Sequence, residues 1–468
     1  MNRIEVDKLR WLRLADELAA GRAILLGLWG EEEHLHLCLL DAKSKELTLA
    51  RLTAEQGRYP SIARRHLPAL RFERAIADLT GLQAEGCPDP RPWLDHQGEY
   101  GFLPAEGEGL HEIPVGPIHA GIIEPGHFRF SVNGEIVVRL EERLGYCHRG
   151  VLSLMRGADL ATAARLAARI SGDSTVAYAF AFSRAAEAAL GIAPPPRAQW
   201  LRGVMAELER LANHCNDIGF ICNDAAVAVL HSHFALLREE LLQLAGDLFG
   251  HRLMMDRIQP GGVQADLDWR GRQRILTWLD RAEKRFDRLI TIYDNNASLK
   301  DRTVTTGRLN PDLAARFGAG GFVGRASGRD FDARRDLPYP PYDQLEIAVT
   351  VLNRGDVNAR LWVRQSEARQ SFALLRQMLA RLPDGALAVE IPAARGEPRE
   401  GLAVVEGFRG DIMLWLRIGP DGKIAGCFPR DPSWLQWPLL EAAIEGNIVP
   451  DFPLCNKSFN CSYAGQDL

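Results

Sequence analysis

The stretch from Gly116 to Ile192 constrains this chain more than any other. It opens GPIHAGIIEPGHFRF and closes ARISGDSTVAYAFAFSRAAEAALGI. Between these lie two histidines (His119, His127), a Tyr-Cys-His-Arg-Gly run (Tyr146 to Gly150) and a helix-breaking SGDS, all inside a mainly apolar segment. An isolated buried polar group costs roughly 2–7 kcal/mol unless it is satisfied. The fold must therefore turn these residues inward, at a cofactor or at a partner's cofactor.

The 468 residues are 46% hydrophobic and 25% charged, which suits two or three domains around a large core. A net charge of -5, with basic and acidic residues interspersed, leaves no electrostatic footprint for nucleic acid. The eight cysteines form no CxxC pair and no short, evenly spaced framework, so a reducing cytosol suits them better than a disulfide scaffold. The N-terminus, MNRIEVDKLRWLRLADELAAG, reads as an amphipathic helix and not as a secretory signal. Nowhere do ~18 apolar residues run without charge, the length a membrane helix needs. Membrane association is expected only through partners.

After the first helix, Arg22 to Trp29, His34 to Leu40 and Glu46 to Arg51 read as short strands of an α+β module, followed by a short helix from Phe72 to Leu79. Gln97 to Pro114 reads as a linker. The second part begins with extended pieces (Phe128 to Val132, Ile136 to Leu140) and turns helical. Leu201, Val204, Met205, Leu208 and Leu211 follow the helical period after a triple-proline start, and similar periodicity runs from Val229 to Leu253, Ile275 to Ile290 and Phe372 to Leu382. The expected fold is α+β: a small N-terminal domain, then a bundle of long helices with peripheral strands returning between Ala388 and Arg417.

Several segments carry two readings. GPIHAGIIEPGHFRF is compatible with a plain turn and strand bearing surface histidines, or with His119 at a loop tip beside a ligand, where imidazole donates a proton near neutral pH. His148 and His214, without a second chelating residue at helical spacing, read as core or surface groups. The arginine-dense Gly324 to Tyr342 reads as a solvated face or as an interface carrying Tyr339 and Tyr342. GxGxxG, P-loop, HExxH and GxSxG motifs are all missing.

In combination, GPIHAGIIEPGHFRFSVNGEIV, LGYCHRGVLSLMRG, ELERLANH, GHRLMMDRIQPGGV, YDQLEIAV and RGDVNARLWVRQSEARQS resemble the large subunit of group 4, energy-converting [NiFe] hydrogenases of the hydrogenase-4 and formate-hydrogenlyase type, a group related to the 49-kDa quinone-site subunit of complex I. YPSI, FERAIADLTGL and PDPRPW are similar to the 30-kDa complex I subunit. The resemblance implies a 30-kDa-like domain over 1–108 fused to a large-subunit domain over 109–468.

In active hydrogenases of this kind nickel sits on four thiolates from two CxxC pairs. Here the first segment reads Arg169-Ile170-Ser171-Gly172-Asp173-Ser174, and SFNCSYAGQDL places Ser462 and Gly465 at the second. Cys455 and Cys461 fall out of register. Hydroxyls and a glycine offer no soft thiolate cage, so no nickel-iron centre or other metal is expected in this chain. Without nickel, the resemblance implies the complex I arrangement, a quinone headgroup in the same cavity. His119 matches a quinone-binding histidine, and Tyr178 stands in for a family tyrosine whose position is Gly172. His119, Tyr178 and Asp467 are the candidate catalytic residues. Arg169 and Arg149 are expected near a partner's cluster, where positive charge raises its potential, and Ser171 and Ser174 are expected to line the cavity.

The implied protein is a subunit on the cytoplasmic face of the inner membrane, held there peripherally by partners. An iron-sulfur small subunit would carry the cluster and deliver electrons from NAD(P)H or a related donor to a quinone or other acceptor, with antiporter-like membrane subunits translocating ions. A second reading is a non-catalytic coupling subunit whose assembly depends on Gly324 to Tyr342. An active hydrogenase is the third.

Overall fold

The computed structural model describes residues 2–94, 96–119, 121, 123–392 and 396–468. Its architecture is α+β. The N-terminus starts as a strand, Asn2–Glu5, and the helix spans only Lys8–Ala19. Asp7 sets that boundary by accepting a hydrogen bond from the Arg10 backbone N–H at 2.7 Å, as an N-cap does. The freed strand pairs in parallel with Leu47–Thr53, at the edge of a sheet whose next strands are His34–Asp41 and Ala23–Glu31. The helix Leu70–Thr80 follows.

The expected linker is pinned. Tyr100 accepts a hydrogen bond from Arg74, Gly101 accepts one from Arg91, and the Leu103 N–H donates to Glu141. It ends in the strand Leu110–Val115, which opens an antiparallel meander with His127–Asn133 and Ile136–Arg143.

Five long helices follow: Thr175–Leu190, Pro196–Asp224, Ala228–Phe249, Trp269–Asp294 and Val357–Arg381. A second meander, Arg399–Gly407, Gly410–Ile418 and Ile424–Arg430, closes on the first of them. The alanine-rich face of Thr175–Leu190 lies so near the sheet that a Cβ at Gly401 would stand 1.8 Å from the Ala185 carbonyl oxygen. Only glycine permits that approach. The N-terminal sheet seats on the same meander. Trp29 stacks between His36 and Phe428 at 5.2 and 5.0 Å, and Arg430 Nε donates to the Leu26 carbonyl at 2.6 Å.

Pro196–Asp224 is buried along most of its length, charged residues included, so those charges need partners. Glu207 accepts from Tyr342 (2.7 Å), Ser371 (2.6 Å) and Arg334 (3.0 Å). His214 Nε2 meets Glu367 at 2.9 Å, and Arg325 bridges Glu367 (2.8 Å) to Glu406 (3.0 Å). Asp217 accepts from Arg364 and Asn460.

This network corrects the expectation for Gly324 to Tyr342. Arg325, Arg334, Tyr339 and Tyr342 are buried, drawn in by Glu207, Glu367 and Glu406, and offer neither a solvated face nor an assembly surface. His214 is likewise a core group.

Arg325→Met would leave Glu367, Glu406 and Asp332 short of a buried cation. The expected cost is about 3–5 kcal/mol, read by chemical denaturation, and a loss below ~1 kcal/mol would contradict the network's role.

Candidate functional site

The SGDS segment forms a tight turn at the N-terminus of Thr175–Leu190. The first free N–H groups of that helix are taken by a carboxylate from its neighbour: Val176 and Ala177 donate to Glu209 at 2.7 and 3.0 Å. Burial pushes the Glu209 carboxyl up to about 8, while these two donors oppose the rise.

The other half of the site comes from the chain's end. The helix Phe452–Phe459 stops at Asn460, whose backbone is left-handed (φ 48°), and Ser462 then caps the short helix Tyr463–Asp467 by accepting from the Gly465 N–H at 3.0 Å. This return brings Ser462 Oγ to 3.0 Å from Ser171 Oγ. Positions 291 residues apart thus share one hydrogen bond.

Arg409, in the turn between two strands of the second meander, holds the halves together. It forms a two-pronged ion pair with Asp173, donates to Ser174 Oγ at 3.2 Å and donates to the Asn460 carbonyl. Burial alone would raise the Asp173 carboxyl, but the Arg409 guanidinium overrides it and holds the group below the ordinary carboxylate range. Tyr178 is fully buried and donates to Asp431 at 2.6 Å, and burial with that carboxylate pushes its phenol well up. Gly465 lies against the same carboxylate, where an added Cβ would stand 2.6 Å from Asp431 Cγ.

These donors do not fit a nickel-iron centre. Ser171 and Ser462 satisfy each other, Ser174 serves an ion pair, Gly465 has no side chain, and a guanidinium stands beside them. Cys455 is buried beside Gly307, and burial pushes its thiol up to about 11. The Cys461 sulfur lies 4.0 Å from Gln436 Oε1. Among the described residues no group of three or more His, Cys, Asp or Glu side chains is arranged to hold a metal.

The remaining candidates sit around this centre at different distances. His119 lies in the loop after Gly116. Its ring is 5.5 Å from Phe128, which contacts Trp437, and Trp437 donates to the Ser462 carbonyl. His119 is thus connected to Ser462 through the rings of Phe128 and Trp437, with no hydrogen bond to the serines. Its Nε2 is buried without a hydrogen-bond partner, and burial lowers its pKa, so the ring is neutral near pH 7.

Asp467 is fully buried and accepts from the Gly145 and Cys147 N–H groups, both at 2.9 Å. Burial pushes its carboxyl up to about 7. Arg149 donates to the Arg169 and Ile170 carbonyls at 3.0 and 2.7 Å, bracing the chain just before Ser171. Arg169 itself points outward and pairs with Asp256 at 2.7 Å.

The structure thus joins Ser171, Ser174 and Ser462 in one hydrogen-bonded centre and sets Tyr178 and Gly465 together against Asp431. It places His119, Asp467, Arg149 and Arg169 outside that centre. The sequence reading missed Asp173, Arg409, Asp431 and Glu209. Asp173 and Glu209 stood inside quoted motifs, whereas a lone arginine and a lone aspartate gave no signal.

Residues 225–403 match the family described as respiratory-chain NADH dehydrogenase, 49 Kd subunit. The carbon monoxide-induced hydrogenase of Rhodospirillum rubrum is 31% identical over 75% of this chain and 97% of its own. Formate hydrogenlyase subunit 5 of Escherichia coli (strain K12) is 30% identical over 88% of this chain and 78% of its own. An NADH-quinone oxidoreductase subunit of Roseiflexus sp. (strain RS-1) is 31% identical over 73% of this chain and 94% of its own.

Gly465→Ala would push a methyl against Asp431 and disturb its bond from Tyr178. The expected loss is about 1–3 kcal/mol, measured as a lowered denaturation midpoint, and a neutral effect would show that the contact is slack.

Proposed function

The chain belongs to the family that joins the 49-kDa subunit of respiratory-chain NADH dehydrogenase to the large subunits of group 4 hydrogenases, and from that membership we propose that it works as a redox-complex subunit without hydrogen chemistry. The observation that carries the proposal is the hydroxyl pair Ser171–Ser462 with the Arg409–Asp173 ion pair, at the positions that the motif resemblance assigns to nickel thiolates in hydrogenase large subunits.

In this reading the face carrying Arg169 receives an iron-sulfur small subunit, and the 30-kDa-like module of residues 1–108 is fused to the large-subunit domain of 109–468. Electrons originating from NAD(P)H or a related donor pass through that partner's cluster to a quinone-type substrate. No helix among the described residues is long and apolar enough to cross a membrane. Attachment to the cytoplasmic face of the inner membrane would therefore run through antiporter-like membrane subunits, which translocate the ions.

Reducing a quinone to its quinol takes two electrons and two protons. The unpartnered Nε2 of His119 supports a role in holding a quinone carbonyl; since burial keeps the ring neutral at rest, it would take up a proton from solvent and pass that first proton on, returning to neutral imidazole. The Tyr178–Asp431 pair is the proposed source of the second. Asp467 and Arg149 would keep the terminal helix and the SGDS turn in register.

One observation favours a second reading, a non-catalytic coupling subunit: Ser171, Ser462, Asp173 and Arg409 already satisfy one another. Quinone-reductase assays on the purified complex distinguish the two. His119→Ala is expected to lower the rate at least ~10-fold, the low end of what a positioned proton donor contributes, with assembly intact. An unchanged rate in the assembled variant would reject the catalytic reading.

A further inference from the structure

At the junction of the N-terminal module and the large domain, one guanidinium serves two carboxyl groups. Arg71 Nη2 lies 3.1 Å from Glu142 Oε2 and 3.0 Å from Glu441 Oε1, and the Glu142 N–H donates to that same Glu441 oxygen at 2.8 Å. Glu142 is 1% exposed and Arg71 7%. Both Glu142 Oε1 and Arg71 Nη1 are buried without a hydrogen-bond partner. All three residues line a cavity of about 450 Å³.

The other charges facing this cavity are engaged elsewhere. Arg74 pairs with Asp89 and donates to Tyr100, and Arg91 bridges Asp89 to Glu141. Arg139 donates to the Pro104 carbonyl and faces Glu445. Arg74 also pulls on Glu441, whose side chain is 24% exposed, but only Arg71 reaches both carboxyls at hydrogen-bond distance, and like charges held this close around a buried Glu142 resist ionising together.

We propose that Glu142 and Glu441 form a proton-holding site, binding one proton between them at neutral pH and exchanging it with solvent through the cavity. The protonated carboxyl gives the orphan Glu142 oxygen a donor role, and the ionised partner keeps Arg71. Burial, with the neighbouring Glu441 carboxylate, pushes Glu142 well above the ordinary carboxyl range, and burial raises Glu441 as well, against the pull of Arg71. Glu441 rides on the helix Ser433–Ile444, whose Ser433, Trp434 and Trp437 hold Ser462 and Gly465. A titrating group is thereby placed on the element that supports the degenerate metal position. The site stands whatever the electron acceptor is.

Infrared spectroscopy of the full-length protein tests this. A wild-type minus Glu142→Gln difference spectrum at pH 7 is expected to contain a carboxylic-acid C=O band that shifts in D2O. In Glu441→Gln the remaining carboxyl faces Arg71 alone, so the band's titration midpoint is expected to fall by at least one pH unit. No such band in the difference spectrum would mean that both groups are ionised and would overturn the proposal. If Glu142→Gln fails to fold, the Glu441→Gln titration decides alone, and an unmoved midpoint overturns it.

Discussion

The ion pair between Arg409 and Asp173 sits where three parts of the chain far apart in sequence meet. One guanidinium ties the turn that starts Thr175–Leu190, the hairpin of the second meander and the chain's final return at Asn460. Arg409 is buried, while the Asp173 side chain keeps 36% of its surface exposed. The hydrogen bonds around the pair are shared: Asp173 also accepts from Ser171, and Ser171 meets Ser462. The ground between the SGDS turn and the chain's end is closed in this chain by an ion pair and two hydroxyls.

That frame is itself held by charge. Pro196–Asp224 faces ionised neighbours on several sides, and Val357–Arg381 answers it with Arg360, Arg364 and Glu367 in the core. Networks of this kind fix one arrangement strongly, because each member is costly to leave unpaired. They explain why the arginine-rich loop is drawn inside, and why Glu209 can cap a neighbouring helix from within the core. Near the N-terminal module the balance tips the other way, leaving Arg71 short of the charge needed by Glu142 and Glu441.

Apolar periodicity made the long helices legible wherever they bury a greasy face. It failed at Val357–Arg381, expected only from Phe372, because the first four turns present Arg360, Arg364, Gln365 and Glu367 to the ionic core instead of an apolar stripe. The N-terminal strand was hidden for the converse reason: Ile4 and Val6 continue a pattern that also suits a helix, and only the Asp7 cap divides them.

At the site, family resemblance pointed to Ser171, Ser174, Ser462 and Gly465, and the fold unites Ser171 with Ser462. Spacing alone had no means of joining residues so far apart in sequence. Nor did it show that Arg169 faces outward to Asp256, or that His119 packs against Phe128 and not against the serines.

The central claim is that the serine hydroxyls and the Arg409–Asp173 ion pair leave this chain without a nickel site. Nickel determined by mass spectrometry in the natively purified complex, per copy of this chain, tests it most directly. The account predicts a content far below one atom per chain. One nickel per chain, lost in Ser171→Ala and Ser462→Ala, would contradict it.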